Sequence, residues 1–279
     1  MHEIRNHKPL PSDWKKALQR FKLHLVALNR TQRTVQPRIT QLATAARNLP
    51  DDPAAVTRDD IETWCGSQDW SPETRNGYYG AFRTFFRWYW RDDPERDPSA
   101  WLPSVRRPTP PPRPAPDKAI NEALAKATPR TRLILTLAAE LGLRANEIAT
   151  LNVGDLAEAE DRWAVLTVNC KGGQIRCLPV SPPLAAAIRR HAGDGGWVFP
   201  GRIHGHLSAR WVGCLATQVL PEPWALHTLR HRFATVAYNN GEKDLIAVQQ
   251  ALGHQPITTT QRYTQTTLNL KSLMTSTAL

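Results

Sequence analysis

Cysteine is scarce in this 279-residue chain, which has only Cys65, Cys170, Cys177 and Cys214 and no C-x-x-C spacing. Four sulfurs are too few to staple a chain of this length, and the pattern is that of free thiols in a reducing compartment. Cys170 and Cys177 flank a predicted hairpin turn, so a bridge between them requires the two to face each other across it. Long apolar runs are missing too. The N-terminus has no apolar core of signal-peptide kind, and no window approaches the ~20 apolar residues that a helix needs to cross a bilayer. These absences exclude a disulfide-framed secreted scaffold and a helical membrane protein, and the expectation is a cytoplasmic protein with no membrane partner. Acidic residues are in deficit as well, with 25 Asp and Glu against 36 Lys and Arg, for a net charge of +11. The excess is shared, since residues 1–107 hold 18 basic and 13 acidic side chains and the remainder 18 and 12. Such a balance suits a polyanionic partner, nucleic acid first, although a solvated basic surface gives the same count.

What is present begins with helical apolar spacing. Trp14, Leu18, Phe21, Leu25 and Leu28 mark a first helix with Ser12 and Asp13 at its start. Val35, Ile39, Leu42, Ala46 and Leu49 mark a second, with Thr34 as cap and Pro37 in the first turn. A third covers residues 59–65. The fourth opens with Ser71-Pro72-Glu73-Thr74 and carries Tyr79, Phe82, Phe86 and Tyr89 on one face. Residues 1–107 therefore read as a four-helix domain. Its basic helix offers Arg75, Arg83 and Arg87 for groove contact, though the aromatic residues between them belong to a core.

Residues 108–116, Pro-Thr-Pro-Pro-Pro-Arg-Pro-Ala-Pro, cannot be helix or central strand and form a stiff polyproline linker that reaches roughly 28 Å. That reach would let two basic domains clamp a duplex, and a plain interdomain spacer fits the same residues. Residues 117–279 form the second domain. Helices are predicted over 130–140, from about 144 with Ile148 and Leu151 buried, and over 183–191, 207–219, 226–239 and 245–252. Two strands, 163–170 and 175–180, are joined by Lys171-Gly172-Gly173-Gln174. The fold class is mainly α with a small antiparallel β-sheet.

The polar residues that interrupt this framework carry the chemistry. His227 and Arg230 share one helix face near an N-terminus that favours anions. Alone, His-x-x-Arg is an ordinary capped helix start, Arg144 after a glycine break is equally ambiguous, Lys171 is by default a surface lysine and Tyr263 a half-buried aromatic. Their order along the chain changes this. Leu141-Gly142-Leu143-Arg144-Ala145-Asn146-Glu147-Ile148, followed by Leu151 and Asp155, resembles the first arginine box of the tyrosine recombinases, the phage-integrase family. His227-Thr228-Leu229-Arg230-His231, followed by Phe233-Ala234-Thr235, resembles the second. Leu252-Gly253-His254 and Thr259-Thr260-Gln261-Arg262-Tyr263 resemble the third histidine and the nucleophilic tyrosine. Lys171 stands in the hairpin where the family carries its lysine. The resemblance rests on specific motifs from Asp117 to Tyr263 and only on a four-helix pattern from Ser12 to Trp101. It implies a core-DNA-binding domain followed by an α+β catalytic domain, and the stretch before Ser12 leaves no room for an arm-binding module.

The family resemblance implies a site-specific recombinase, bacterial or phage-encoded, that integrates or excises DNA through a 3′-phosphotyrosine intermediate and a Holliday junction. It acts on double-stranded DNA as a homotetramer over two sites, free in solution as a monomer, with an accessory directionality factor as a further partner. No cofactor, metal or ATP is implied. Phosphoryl-transfer physics gives roles for the same residues. Negative charge building on the scissile phosphate requires fixed cations, and the forked donors of Arg144 and Arg230 match it bidentately. Tyr263, whose phenol has an ordinary pKa near ~10, needs a base and a cationic field. His227 is the candidate base, His254 a hydrogen-bond donor, and Lys171 the general acid for the leaving 5′ oxygen. Glu147 either orients one of these cations or makes an exposed salt bridge. The tail, residues 268–274, is expected to pack on a neighbouring protomer or to fold back on its own domain. A type IB topoisomerase-like enzyme uses a similar residue set and stays open as an alternative, as does a non-catalytic architectural DNA-binding protein. A metal site built on His204, His206 and His231 lacks acidic or Cys ligands at suitable spacing.

Overall fold

In a computed structural model, residues 8–106, 111–159, 162–170, 174–192, 196–240, 244–253 and 273–279 are described. The chain divides into two compact units, Met1–Pro110 and Pro111–Leu279.

The first unit packs four helices, α1 Ser12–Ala27, α2 Gln32–Ala46, α3 Arg58–Gly66 and α4 Pro72–Tyr89. Their apolar stripes meet in an aromatic core in which Trp14, Phe21, Phe82, Phe85 and Phe86 are fully buried. Trp14 stacks on Phe85 at 5.2 Å between ring centroids, and its indole N–H donates to the Pro50 carbonyl at 2.8 Å. Each such ring stabilises the unit by roughly 2–3 kcal/mol through burial alone. Local chemistry sets the helix starts. Thr57 and Asp60 form a reciprocal capping box at α3, and Ser71 caps α4 ahead of Pro72. Helix α2 departs from the expected start, because Thr31 rather than Thr34 takes the extended backbone of an N-cap. Pro37 therefore falls in the second turn. Leu28 is exposed, since α1 ends at Ala27 and turns away through Asn29, whose φ is 55°.

The second unit is helical with a small sheet. Helix α5, Asp117–Lys126, was not legible in the sequence because its buried face is mostly alanine. Helix α6, Pro129–Glu140, is capped by Thr128 and buried around most of its circumference. After it come α7 Ala145–Ala149 and three strands, β1 Leu156–Glu158, β2 Ala164–Asn169 and β3 Ile175–Val180, antiparallel in the order β1-β2-β3. The remaining elements are α8 Pro182–His191, a short strand β4 Pro200–Ile203, α9 Ala209–Thr217, α10 Leu226–Asn240 and α11 Leu245–Leu252. The edge strand β1 and the strand β4 escaped the sequence reading, being too short to show alternation. The register pairs Leu166 with Leu178 and Val168 with Arg176, so an arginine occupies the buried face of the sheet. Cys177 pairs with Thr167, not with Cys170, and all four cysteines are free thiols.

The C-terminal residues pack in cis. Leu273 and Met274 are buried in the core of their own unit, as in the fold-back alternative for residues 268–274, of which 268–272 lie outside the described residues. Arg232, buried at the middle of α10, holds them there. Its Nη1 donates to the Thr277 carbonyl at 2.7 Å and its Nε to Asp117 Oδ1 at 2.8 Å. Among the described residues no helix is long and apolar enough to cross a membrane.

Candidate active site

Just past the end of α6, Gly142 takes a left-handed φ of 61°. A Cβ there would lie 2.6 Å from the Phe233 ring, so glycine is required both by the backbone and by the approach of α10. The turn delivers Arg144 to the start of α7. Glu147, one turn on, accepts the Arg144 backbone N–H at 2.8 Å on Oε2 and its Nη1 at 2.9 Å on Oε1.

Glu147 is no exposed salt bridge. Its side chain is 4% exposed and also binds Arg176 Nη2 at 2.8 Å, while Arg230 Nη1 lies 3.9 Å away. Three guanidinium groups thus surround one carboxylate, for a local charge of two positive units. Burial pushes the Glu147 carboxyl up, but Arg176 and the two bonds from Arg144 outweigh it and hold the group below the ordinary glutamate range. Burial, with Arg144 and Arg176 nearby, lowers the Arg230 guanidinium to about 10, which leaves it charged at neutral pH.

Arg230 stands on the second turn of α10. One Nη donates to the Gly142 carbonyl and the other to the Leu252 carbonyl at 2.7 Å. Two of its five N–H donors are thereby spent on fixing its position. Arg176 Nη1 donates to the same Leu252 carbonyl at 2.8 Å. Helix α11 stops at Gly253, with φ of 64°, where a Cβ would meet Arg176 Nη1 at 2.8 Å and Cys170 Sγ at 3.1 Å. The end of α11 is therefore seated directly on the arginine cluster, two residues before His254. His227 is exposed near the N-terminus of α10, with its ring edge-on to His231 at 5.6 Å. Lys171, His254 and Tyr263 lie outside the described residues.

Of the sequence-predicted residues, the fold brings Arg144, Glu147 and Arg230 together in one cluster. Arg176 was missed. The signal for it was an arginine in phase with Leu178 and Val180, but Ile175, Cys177 and Pro179 made the opposite face look equally apolar. Elsewhere, His206 packs against Trp197 and its Nδ1 lies 2.6 Å from the Leu207 carbonyl, a structural role in the turn.

In the first unit, Arg83, Arg87 and Arg91 follow one another at four-residue steps along and just past α4. With Arg38 and Trp88 they line an open groove of about 640 Å³. Burial, with Arg30 nearby, lowers the pKa of Arg38, which is anchored by Thr84 Oγ1. Arg75 has both arms of its fork engaged within the first unit. Its two Nη atoms donate to the carbonyls of Cys65 at 3.1 Å and Gln68 at 3.2 Å, so its fork ties the end of α3 to α4.

The phage integrase family profile matches residues 117–269. The chain is 34% identical over 213 residues to the tyrosine recombinase XerC of Rhodospirillum centenum, a match spanning 68% of this chain and 61% of that protein. It is 33% identical over 227 residues to the tyrosine recombinase XerD of Caulobacter vibrioides, spanning 71% of this chain and 72% of that one. Among solved structures, a lambda integrase tetramer bound to a Holliday junction shares the fold with a TM-score of 0.68 at 18% identity, over 94% of this chain and 85% of that one.

Proposed function

This chain belongs to the phage integrase family, the tyrosine recombinases, and from that premise we propose that it is a site-specific DNA recombinase, cutting and rejoining strands through a 3′-phosphotyrosine bond at Tyr263. The observation that carries the reading is the set of guanidinium groups around Glu147, whose surplus charge suits a phosphate developing negative charge. Arg144, 40% exposed, keeps most of its fork free toward solvent, and Arg230 keeps three N–H donors. In this reading the two clamp the non-bridging oxygens of the scissile phosphate.

The Tyr263 phenolic oxygen attacks phosphorus, the bond to the 5′ oxygen breaks, and the strand is held as a 3′-phosphotyrosine. His227 takes the phenol proton, Lys171 protonates the departing 5′ oxygen, and His254 donates to a phosphate oxygen. The energy of the broken ester is kept in the new one, so the free 5′ hydroxyl of a partner strand can reverse the step and release Tyr263. The partner is duplex DNA. Arg83, Arg87 and Arg91 offer backbone phosphate contacts from the first unit, which position the protein without reading sequence. Assembly of four copies on two DNA sites through a Holliday junction is supported by the lambda integrase tetramer of the same fold.

The test is covalent capture. A labelled duplex, selected from random-sequence DNA for binding to this chain and nicked next to the cut site, is incubated with wild type and Tyr263→Phe. Wild type should yield an SDS-resistant adduct and Tyr263→Phe none. An adduct with Tyr263→Phe would reject the assigned nucleophile, and no adduct from either on bound DNA would reject strand cleavage.

A further inference from the structure

Arg176 is placed where an arginine is costly. It lies on the inner face of β3, paired with Val168, with its side chain 7% exposed. Two other guanidinium groups are close by, and its Nε has no hydrogen-bond partner among the described residues. An unmatched buried donor weakens a fold, and buried ion pairs seldom outperform apolar packing. An aliphatic residue continuing the row of Leu178 and Val180 would serve the sheet better.

What only a forked donor can do there is join three separate parts of the site. Nη2 holds Glu147 Oε2 at 2.8 Å, and Glu147 in turn holds Arg144. Nη1 holds the Leu252 carbonyl at 2.8 Å, at the end of the helix that leads into His254 and on the acceptor that also seats Arg230. The same Nη1 lies 3.5 Å from Cys170 Sγ, one residue before Lys171. We propose that Arg176 is a positioning residue for strand cleavage: it sets the spacing between the Arg144–Glu147 pair and the Leu252 carbonyl, and so the arrangement of the cations that receive the phosphate. It does this without touching DNA. The proposal rests on the strand-transfer reading above.

The test compares full-length wild type, Arg176→Met and Arg176→Lys in single-turnover cleavage of the nicked duplex at saturating protein. DNA affinity is measured by gel shift and folding by circular dichroism. Arg176→Met should bind the duplex within about threefold of wild type and cleave it about 10–100-fold more slowly, the range for residues that orient reacting groups. Arg176→Lys should fall between, because one ammonium cannot hold both acceptors as a fork does. The double variant Glu147→Gln/Arg176→Met should be no slower than the slower single variant, since both act through one cluster. Cleavage at the wild-type rate by folded, bound Arg176→Met would overturn the proposal, as would additive losses in the double variant. If Arg176→Met does not fold, wild-type cleavage by Arg176→Lys overturns it instead. If wild type itself forms no Tyr263-linked adduct, the strand-transfer reading fails and this proposal with it. A wild type that cleaves beside an unimpaired Arg176→Met removes only the positioning role.

Discussion

Replacing Glu147 by glutamine removes the single negative charge among three arginines while keeping the shape of the side chain. Two of the cations it balances are themselves buried, Arg176 at 7% and Arg230 at 11% side-chain exposure, so water cannot take over. Removing one partner of a buried pair typically costs about 3–5 kcal/mol. Glutamine retains one acceptor oxygen, and the Arg144 pair, 40% exposed, is screened and adds at most about 0.5 kcal/mol. The lower end, about 3 kcal/mol, is therefore the expected loss in the second unit. Because each 1.4 kcal/mol is tenfold, local opening should rise by roughly 100-fold. Hydrogen exchange read by mass spectrometry on peptides covering β3, α7 and α11 measures this without requiring the two units to unfold together. Protection in those peptides within about twofold of wild type would refute the reasoning, because it would mean that the arginines are solvated well enough to need no counter-charge.

The same carboxylate gives a pH signature. Its folded pKa lies below the ordinary value, so the unfolded chain binds the proton more tightly, and the stabilisation is complete above about pH 5 and lost as pH falls through the lowered pKa. Hydrogen exchange in β3 should show this acid loss in wild type and not in Glu147→Gln. Gly142→Ala should destabilise the second unit by about 2–5 kcal/mol, summing left-handed strain with overpacking against Phe233, as measured by urea unfolding. Arg87→Ala should weaken DNA binding and reduce the slope of log K against log salt by about 0.9, whereas Arg75→Ala should leave that slope unchanged and lower the melting temperature of the first unit.

The helical architecture was legible wherever periodicity was strong. The stripe of α1, the capped start of α4 and the apolar run of α6 follow from spacing and side-chain capping, which are local. The misses have physical causes. Helix α5 buries mainly alanine, whose small side chains give little contrast. Strands β1 and β4 are three and four residues long, too short for alternation to register. The start of α2 falls at Thr31 rather than Thr34, and because the two residues carry the same capping chemistry, local sequence does not choose between them.

At the candidate site the sequence by itself determined the residue types: Arg144 after a glycine break, His227 and Arg230 on one helix face, and the ordered motifs that end at Tyr263. Those follow from near neighbours along the chain, within one or two turns of helix. The tertiary structure alone decided that Arg144, Arg176 and Arg230 share Glu147, that Arg176 faces inward, and that the end of α11 is pinned to both Arg176 and Arg230. These pairings join residues far apart along the chain; Arg176 and Leu252, for example, are 76 positions apart. Their electrostatic weight comes from burial, which lowers the local dielectric and which no window of sequence contains.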